Sequence, residues 1–216
     1  MNFFALPHLY KIVLAILIWK VTIGVVAEYG NYIPPNFKSG FLQGRETYFM
    51  GAYRWAFYTH LISGPLSLLL GTILVSDWFR NRFPAWHRLL GKIQVACILL
   101  FMVPSGLWMS YYAATGTVAA VGLGSLAIAT AVCVVRGWKA AVARKFADHR
   151  RWMLRTFILL CSAVVLRLIA GLATVTQFDA DWLYPVSTWV SWLVPLLVFE
   201  ITNSLSRSSR RIATSV

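Results

Sequence analysis

Apolar residues occur along this chain in six long runs separated by short polar segments. The runs cover residues 9–27, 53–75, 89–111, 117–135, 152–175 and 184–201. Each run is about 20 residues long, the length that an α-helix needs to cross the roughly 30 Å hydrocarbon core of a bilayer. The pattern therefore predicts an all-α polytopic membrane protein, with six transmembrane helices in one bundle and a single integral membrane domain over residues 1–216.

The composition agrees with a membrane protein and excludes a nucleic-acid-binding one. The chain is 59% hydrophobic and only 12% charged, whereas a soluble domain has about 25% charged residues. Its net charge is +13, but the cations lie between the apolar runs and form no basic patch interleaved with aromatic residues. The partner that the composition indicates is the lipid bilayer.

The lysines and arginines are distributed unequally between the two sides of the predicted bundle. Of the 20 cations, 15 fall on the side that carries both termini and three on the other side, while Lys20 and Arg167 lie within spans. Because loops rich in lysine and arginine stay in the cytoplasm, both termini are predicted to be cytoplasmic. The outer segment 28–52 is rich in aromatic residues and is predicted to be a cap on the outer surface.

Two similar sequences, "HRLLGK" and "HRRWMLR", stand at the entrances of the third and fifth spans. They place His87 and His149 at the same depth, where two neutral imidazoles could be the axial ligands of a heme b. Arg88 and Arg150 could then pair with the heme propionates. Alternatively, both histidines cap helix entrances or bind lipid phosphate together with the neighbouring arginines.

The sequence indicates no metal site other than the iron of this heme. The three cysteines, Cys97, Cys133 and Cys161, lie one per span and form no CxxC motif. A zinc site or a disulfide framework is therefore not indicated, and each cysteine is expected to act as a small apolar residue.

A second candidate site lies in the outer half of the bundle. By the helical rise, His60 lies roughly 10 Å from the outer end of its span and Arg167 roughly 12 Å, with Lys20 at a similar depth. Charged groups at this depth are costly and are often functional. A cationic cavity of this kind would suit a quinone head or an anionic small molecule. Alternatively, Lys20 snorkels and Arg167 is satisfied by backbone carbonyls or waters.

We expect His60 and Arg167 to line one polar cavity, with Tyr58 or Tyr53 near its rim. Pro65 follows His60 by about one turn and frees a backbone carbonyl there. Gly64 and Gly171 lack side-chain bulk close to the two polar residues.

The stretch "FYTHLISGPLSLLLGTILVSDWFRNRFPAWHRLLGKIQV", residues 57–95, resembles bacterial membrane proteins of domain of unknown function 2306. That family carries Pro-x-x-His-Arg-x-x-Gly-Arg after an arginine-rich turn, and the corresponding residues here are Pro84, His87, Arg88, Gly91 and Lys92. "HRRWMLRT", residues 149–156, resembles its second signature, and Arg167 resembles part of the continuation. The resemblance implies a multi-pass protein of the bacterial inner (plasma) membrane and assigns no catalytic residue.

A weaker likeness connects the chain with b-type membrane cytochromes, whose heme ligands lie on alternating helices. His87 and His149, on the third and fifth spans, have a similar placement. Those cytochromes have a second ligand pair, whereas the fourth span here contains no histidine.

Two classes of function therefore remain open, and the sequence does not decide whether the protein is an enzyme. The first is a membrane redox protein that binds heme b or a quinone. The second is a non-enzymatic protein, either a small-molecule transporter or a subunit or assembly factor of a larger membrane complex.

Overall fold

The computed structural model describes the backbone of residues 8–38 and 40–214 and the side chains of residues 12–38 and 40–205. Six helices in these ranges are long and apolar enough to cross a membrane, and the described residues form no strand. They are α1 (His8–Ala27), α2 (Glu46–Leu74), α3 (Pro84–Tyr111), α4 (Thr117–Val142), α5 (Phe146–Val175) and α6 (Leu183–Thr214). The predicted all-α architecture with six spans is confirmed.

Several helices extend beyond the apolar runs that predicted them. Hydrophobicity marks only the part of a helix that crosses the apolar core, whereas α3 and α5 begin earlier with polar turns. His87 and His149 are consequently each the fourth residue of a helix, and neither is an N-cap residue. Their backbone N–H groups donate to Phe83 O and Lys145 O, both at 2.9 Å.

Four of the described helices contain a proline or an irregular segment in their middle parts, among them α6 with Pro195. Helix α2 contains Pro65, and α3 passes through a π-helical segment, Cys97–Met102, just before Pro104. Helix α5 is interrupted by a turn at Cys161. Such irregularities free backbone carbonyls from the regular ladder, and π segments are frequent at functional sites.

The helices pack around a core formed mainly by α2, α3, α4 and α5. Helix α6 lies against α4 and α5, and α1 lies against α2 and α5. The largest apolar cluster joins five helices through Ile18, Leu68, Ile98, Val103, Val134, Leu160 and Val164. Helix α1 contributes little buried surface, and most of its apolar side chains are exposed, as expected for a peripheral helix surrounded by lipid.

The segment between α1 and α2, with the first turns of α2, packs across one end of the bundle. We call residues 28–38 and 40–53 the cap, this end of the bundle the cap end, and the opposite end, where α3 and α5 begin, the basic end. Leu42, Phe49 and Tyr53 of the cap are buried with Phe57 of α2. The predicted cap is therefore present.

A buried arginine holds the cap in place. Arg45 is only 7% exposed, and its guanidinium donates to Phe41 O, Tyr48 Oη and Tyr112 O at 2.6, 2.8 and 3.0 Å. Tyr112 follows the end of α3, so these bonds tie the cap to the bundle. The side of the membrane on which the cap lies remains a prediction. Four cations that support it, Lys11, Arg207, Arg210 and Arg211, have side chains outside the described residues.

Helices α4 and α6 are in close contact at Gly122. A Cβ added there would lie 2.6 Å from Thr188 Oγ1 and 2.9 Å from Trp189 Nε1. Trp189 Nε1 donates to Val118 O at 3.1 Å, which fixes its ring at this crossing. The absence of a side chain at Gly122 is therefore needed for close helix packing, as in other membrane proteins.

We predict that Gly122→Ala destabilises the bundle. The added methyl group would displace Thr188 or Trp189, and overpacking of this kind costs about 1–3 kcal/mol. Thermal unfolding in detergent should show a lower midpoint than for the wild type. The matched control is Gly24→Ala on α1, where an added Cβ would meet nothing within 4 Å. Equal midpoints for the two variants would contradict the close contact.

Candidate functional site

The arginines of "HRRWMLR" are paired with acidic groups at the basic end. Arg150 Nη2 donates to Oδ1 and Oδ2 of Asp77 at 3.1 and 2.9 Å, and Arg80 pairs with the same carboxylate at 3.0 Å. Arg151 pairs with Asp148, one turn earlier in α5. The first turns of α5 are thereby attached to the connection between α2 and α3.

Arg155 reaches deeper into the bundle and joins α5 to α6. Its Nε and Nη2 donate to the two carboxylate oxygens of Glu200 at 2.5 and 2.8 Å, a bidentate pair. The guanidinium also lies over the rings of Trp152 and Phe199, 4.6 and 5.7 Å from their centroids. The Arg155 side chain is only 18% exposed, so this ion pair lies partly within the protein.

The two histidines of the basic end, His87 and His149, are close enough to influence each other electrostatically. His149 Nδ1 lies 2.9 Å from Gly137 O, a backbone carbonyl that can only accept a hydrogen bond. Nδ1 therefore carries a proton, and in the neutral imidazole the lone pair is then on Nε2. His87 interacts electrostatically with His149 and Arg80, and its Nδ1 is buried without a hydrogen-bond partner among the described residues.

This arrangement fits part of what an axial heme ligand needs. A metal-binding histidine usually donates its second ring N–H to a carbonyl or carboxylate, as His149 does to Gly137. Arg150 and Arg88 are the arginines expected to pair with the heme propionates. Arg150 is already paired with Asp77, whereas Arg88 is exposed.

His60 lies between α2 and α3 in the cap-end half of the bundle. Its Nδ1 is 3.3 Å from Met102 O and 3.2 Å from Ser105 Oγ. A Cβ at Gly106 would come within 3.3 Å of the ring, so that glycine makes room for the imidazole. Met102 ends the π-helical segment of α3. The carbonyl that contacts His60 therefore lies at the end of this π-helical segment.

Arg167 is an exposed arginine within the span of α5. Its guanidinium donates to Ala163 O of its own helix at 3.1 Å, and among the described side chains no carboxylate lies within ion-pair distance of it. It interacts electrostatically with His60 and with three phenols, those of Tyr29, Tyr32 and Tyr184. We call these five residues the cap-end site.

Tyr58 and Tyr53, the tyrosines expected at the rim of a cavity between His60 and Arg167, are engaged in the cap, and the shared cavity stays a prediction. Tyr58 donates its hydroxyl to Tyr32 O at 2.8 Å, and Tyr53 is buried in the cap. Tyr29, just after α1, donates to Leu61 O at 2.5 Å, one residue beyond His60. Nothing in the local sequence around Tyr29 indicates this contact, because 32 residues separate donor and acceptor.

Lys20 is not part of this group. It is exposed on the outward face of α1, beside the apolar residues Ile16, Trp19 and Ile23. The face of α1 that packs on the bundle carries Ile18 and Thr22 instead. A lysine on a lipid-facing surface is expected to extend its amino group toward the head groups.

The cap-end site has one fixed positive charge and an excess of hydrogen-bond donors. The Arg167 guanidinium has donors only, and the hydroxyls of Tyr32 and Tyr184 can donate as well as accept. The single hydroxyl proton of Tyr29 is already donated to Leu61 O. Such a site is suited to oxygen acceptors, such as those of a carbonyl or a carboxylate. Since Arg167 is exposed within the span, a ligand could reach it from the bilayer.

Six apolar helices, a cap and polar groups facing one another inside the bundle define a multi-pass integral membrane protein. The family model described as "Predicted membrane protein (DUF2306)" matches residues 57–202, from the first half of α2 into α6, and the chain belongs to this family. No curated protein and no solved structure matches the chain.

We predict that Arg155 and Arg151, from the same seven-residue stretch, contribute very differently to stability. Arg155→Gln leaves Glu200 unpaired at a partly buried position and should lower the free energy of unfolding by about 1–3 kcal/mol. Arg151→Gln removes a more exposed pair within one helix and should change it by less than about 0.5 kcal/mol. Thermal unfolding of both variants in the same detergent tests this, and equal losses would contradict the structural role of the Arg155–Glu200 pair.

Proposed function

We propose that this membrane protein binds a quinone head group at the cap-end site and has a redox role in the bacterial inner membrane. The observation that carries the proposal is Arg167, an exposed cation within the span of α5 that lacks a carboxylate partner among the described residues. Inserting an arginine in this environment costs about 2.5–3.5 kcal/mol by insertion scales. A binding role would account for an arginine that is kept there despite this cost.

The chemistry of the surrounding groups supports a carbonyl ligand. A quinone has two carbonyl oxygens that accept hydrogen bonds, and the cap-end site offers the Arg167 guanidinium together with tyrosine hydroxyls. A quinone also partitions into the bilayer, and Arg167 is exposed within the membrane-spanning part of α5. The same donors would also bind an anionic head group such as a carboxylate. The binding test therefore uses both a quinone and a carboxylate.

The competing hypothesis is a non-enzymatic role, as a small-molecule transporter or as a subunit or assembly factor of a larger membrane complex. In that case the polar groups of the cap-end site stabilise the bundle or a protein interface. Under this hypothesis, replacing Arg167 does not change quinone binding to the purified protein.

We predict that Arg167→Gln weakens the binding of ubiquinone-1 by about tenfold or more, because a hydrogen bond from a charged donor contributes about 1.5–3 kcal/mol. Quenching of the fluorescence of the ten tryptophans gives the affinity. Lys20→Gln, which removes a cation from the lipid-facing surface of α1, is the matched control and should bind like the wild type.

Two outcomes would overturn the quinone proposal. In the first, the wild type and Arg167→Gln bind ubiquinone-1 equally. In the second, decanoate binds in an Arg167-dependent manner while ubiquinone-1 does not, which would make the ligand a carboxylate.

A second candidate function, heme b binding by His87 and His149, is supported by the hydrogen bond between His149 Nδ1 and Gly137 O. A heme at the basic end would carry single electrons. His149 would be held by Gly137 in the tautomer that ligates iron, and His87 would supply the second imidazole from α3.

We predict for this candidate that protein produced with ample heme shows a Soret band, and that His87→Ala and His149→Ala each abolish it. His60→Ala, which removes the histidine of the cap-end half, should leave the band unchanged. Wild-type protein without a Soret band would remove heme binding from consideration.

A further inference from the structure

Buried polar side chains line the contact between α2 and α3 through the middle of the bundle. We call this set the polar seam, and its members are His60, Ser63, Ser67, Gln94, Cys97 and Ser105. Ser63, Ser67, Gln94 and Ser105 are each at most 5% exposed. On α3 the seam extends over the twelve residues from Gln94 to Ser105, about 16 Å by the helical rise, which is roughly half of the apolar core.

The seam residues are connected to one another across the two helices. Gln94 Nε2 donates to Ser67 O at 2.7 Å, and Ser67 Oγ donates to Cys97 Sγ at 3.4 Å. Cys97 Sγ lies 4.0 Å from Ser63 O. Toward the cap end, His60 Nδ1 contacts Ser105 Oγ at 3.2 Å. Polar contacts therefore recur along most of the seam.

Two polar atoms of the seam are buried without a hydrogen-bond partner among the described residues. They are Ser63 Oγ and Gln94 Oε1, which lie on either side of the Ser67–Cys97 contact. A buried polar atom left unpaired costs about 1–3 kcal/mol, and buried water molecules usually satisfy such groups in proteins. Both atoms are thus sites at which the seam can hold water.

Both ends of the seam lead toward polar surroundings. At the cap end, His60 interacts electrostatically with the exposed Arg167. Toward the basic end, Gly91 lies one turn before Gln94 on the same face of α3, and a Cβ placed there would meet nothing within 4 Å. Gly91 therefore leaves open space beside α3 one turn before Gln94.

We propose that the polar seam between α2 and α3 is a hydrated path that conducts protons through the apolar middle of the bundle. Hydroxyl groups, imidazole and water each donate and accept hydrogen bonds, so a proton can pass along a chain of them. The net step takes a proton from water at one end and releases a proton to water at the other. It involves no redox change and is driven by the transmembrane proton gradient.

Proton flux into proteoliposomes tests the path directly. The purified full-length protein is reconstituted with pyranine inside, and a potassium gradient with valinomycin sets the membrane potential. The wild type should acidify the vesicles faster than protein-free vesicles do. The double variant Ser63→Ala, Gln94→Leu removes both water-binding atoms and should reduce the rate to that of protein-free vesicles.

Two further variants separate loss of the path from loss of the fold. Ser63→Ala alone removes one oxygen from the seam and should lower the rate while keeping the unfolding midpoint. Thr130→Val is the matched control on α4, where a buried hydroxyl bonds only within its own helix, and should conduct like the wild type. A wild-type rate equal to that of protein-free vesicles, or a Ser63→Ala rate equal to that of the wild type, would overturn the proposal.

Water access to the seam gives an independent measurement. Cys97 in the seam and Cys133 beside Leu159 and Trp192 are both 7% exposed. Two variants are compared, one with Cys97 and one with Cys133 as its single cysteine. The infrared S–H band should convert to S–D in D₂O sooner for Cys97 than for Cys133. Exchange at Cys97 that is no faster than at Cys133 would also overturn the proposal, whatever the flux.

Discussion

The structure depends on one constraint, namely that polar groups within a bilayer must find their partners inside the protein. At the basic end this constraint determines how helices are joined. Asp77 holds both Arg80 and Arg150, so the connection between α2 and α3 is attached to the start of α5. Arg155 and Glu200 attach α5 to α6. Arg150 and Arg155 of "HRRWMLR" therefore act as cross-links between elements, in addition to marking a membrane boundary.

The same constraint explains the polar groups nearer the middle and the cap end. The π-helical segment Cys97–Met102 lies just before Pro104 in α3, and the carbonyl of Met102 at its end contacts His60. Arg45 closes the cap over the ends of α2 and α3 by satisfying carbonyl and hydroxyl groups there. Arg167 differs from these residues, because its side chain stays exposed with one bond to its own helix. That difference separates a candidate binding residue from structural ones.

Hydrophobic patterning was sufficient to predict the six spans, since the length of an apolar run reports the thickness of the bilayer core. It was less accurate at the helix ends, where α3 and α5 extend into polar sequence that carries no hydrophobic signal. Depth along each helix put His60 and Arg167 at a similar level, and the cavity that they are expected to share stays a prediction. Depth alone gave Lys20 the same level, although it faces outward on α1. The rotation of a helix about its axis is fixed by packing, and α1 is apolar on nearly all sides.

The sequence by itself determined the class of the protein, the number of its spans and its membership of a family, because these follow from run lengths and short motifs. Only the tertiary structure decided which polar residues meet. Tyr29 reaches Leu61, Arg150 reaches Asp77 and Arg155 reaches Glu200 across 32, 73 and 45 residues. Such pairs depend on the order and rotation of the helices around the bundle. Those are set by the side-chain packing of all six helices together, and no local stretch of sequence contains that information.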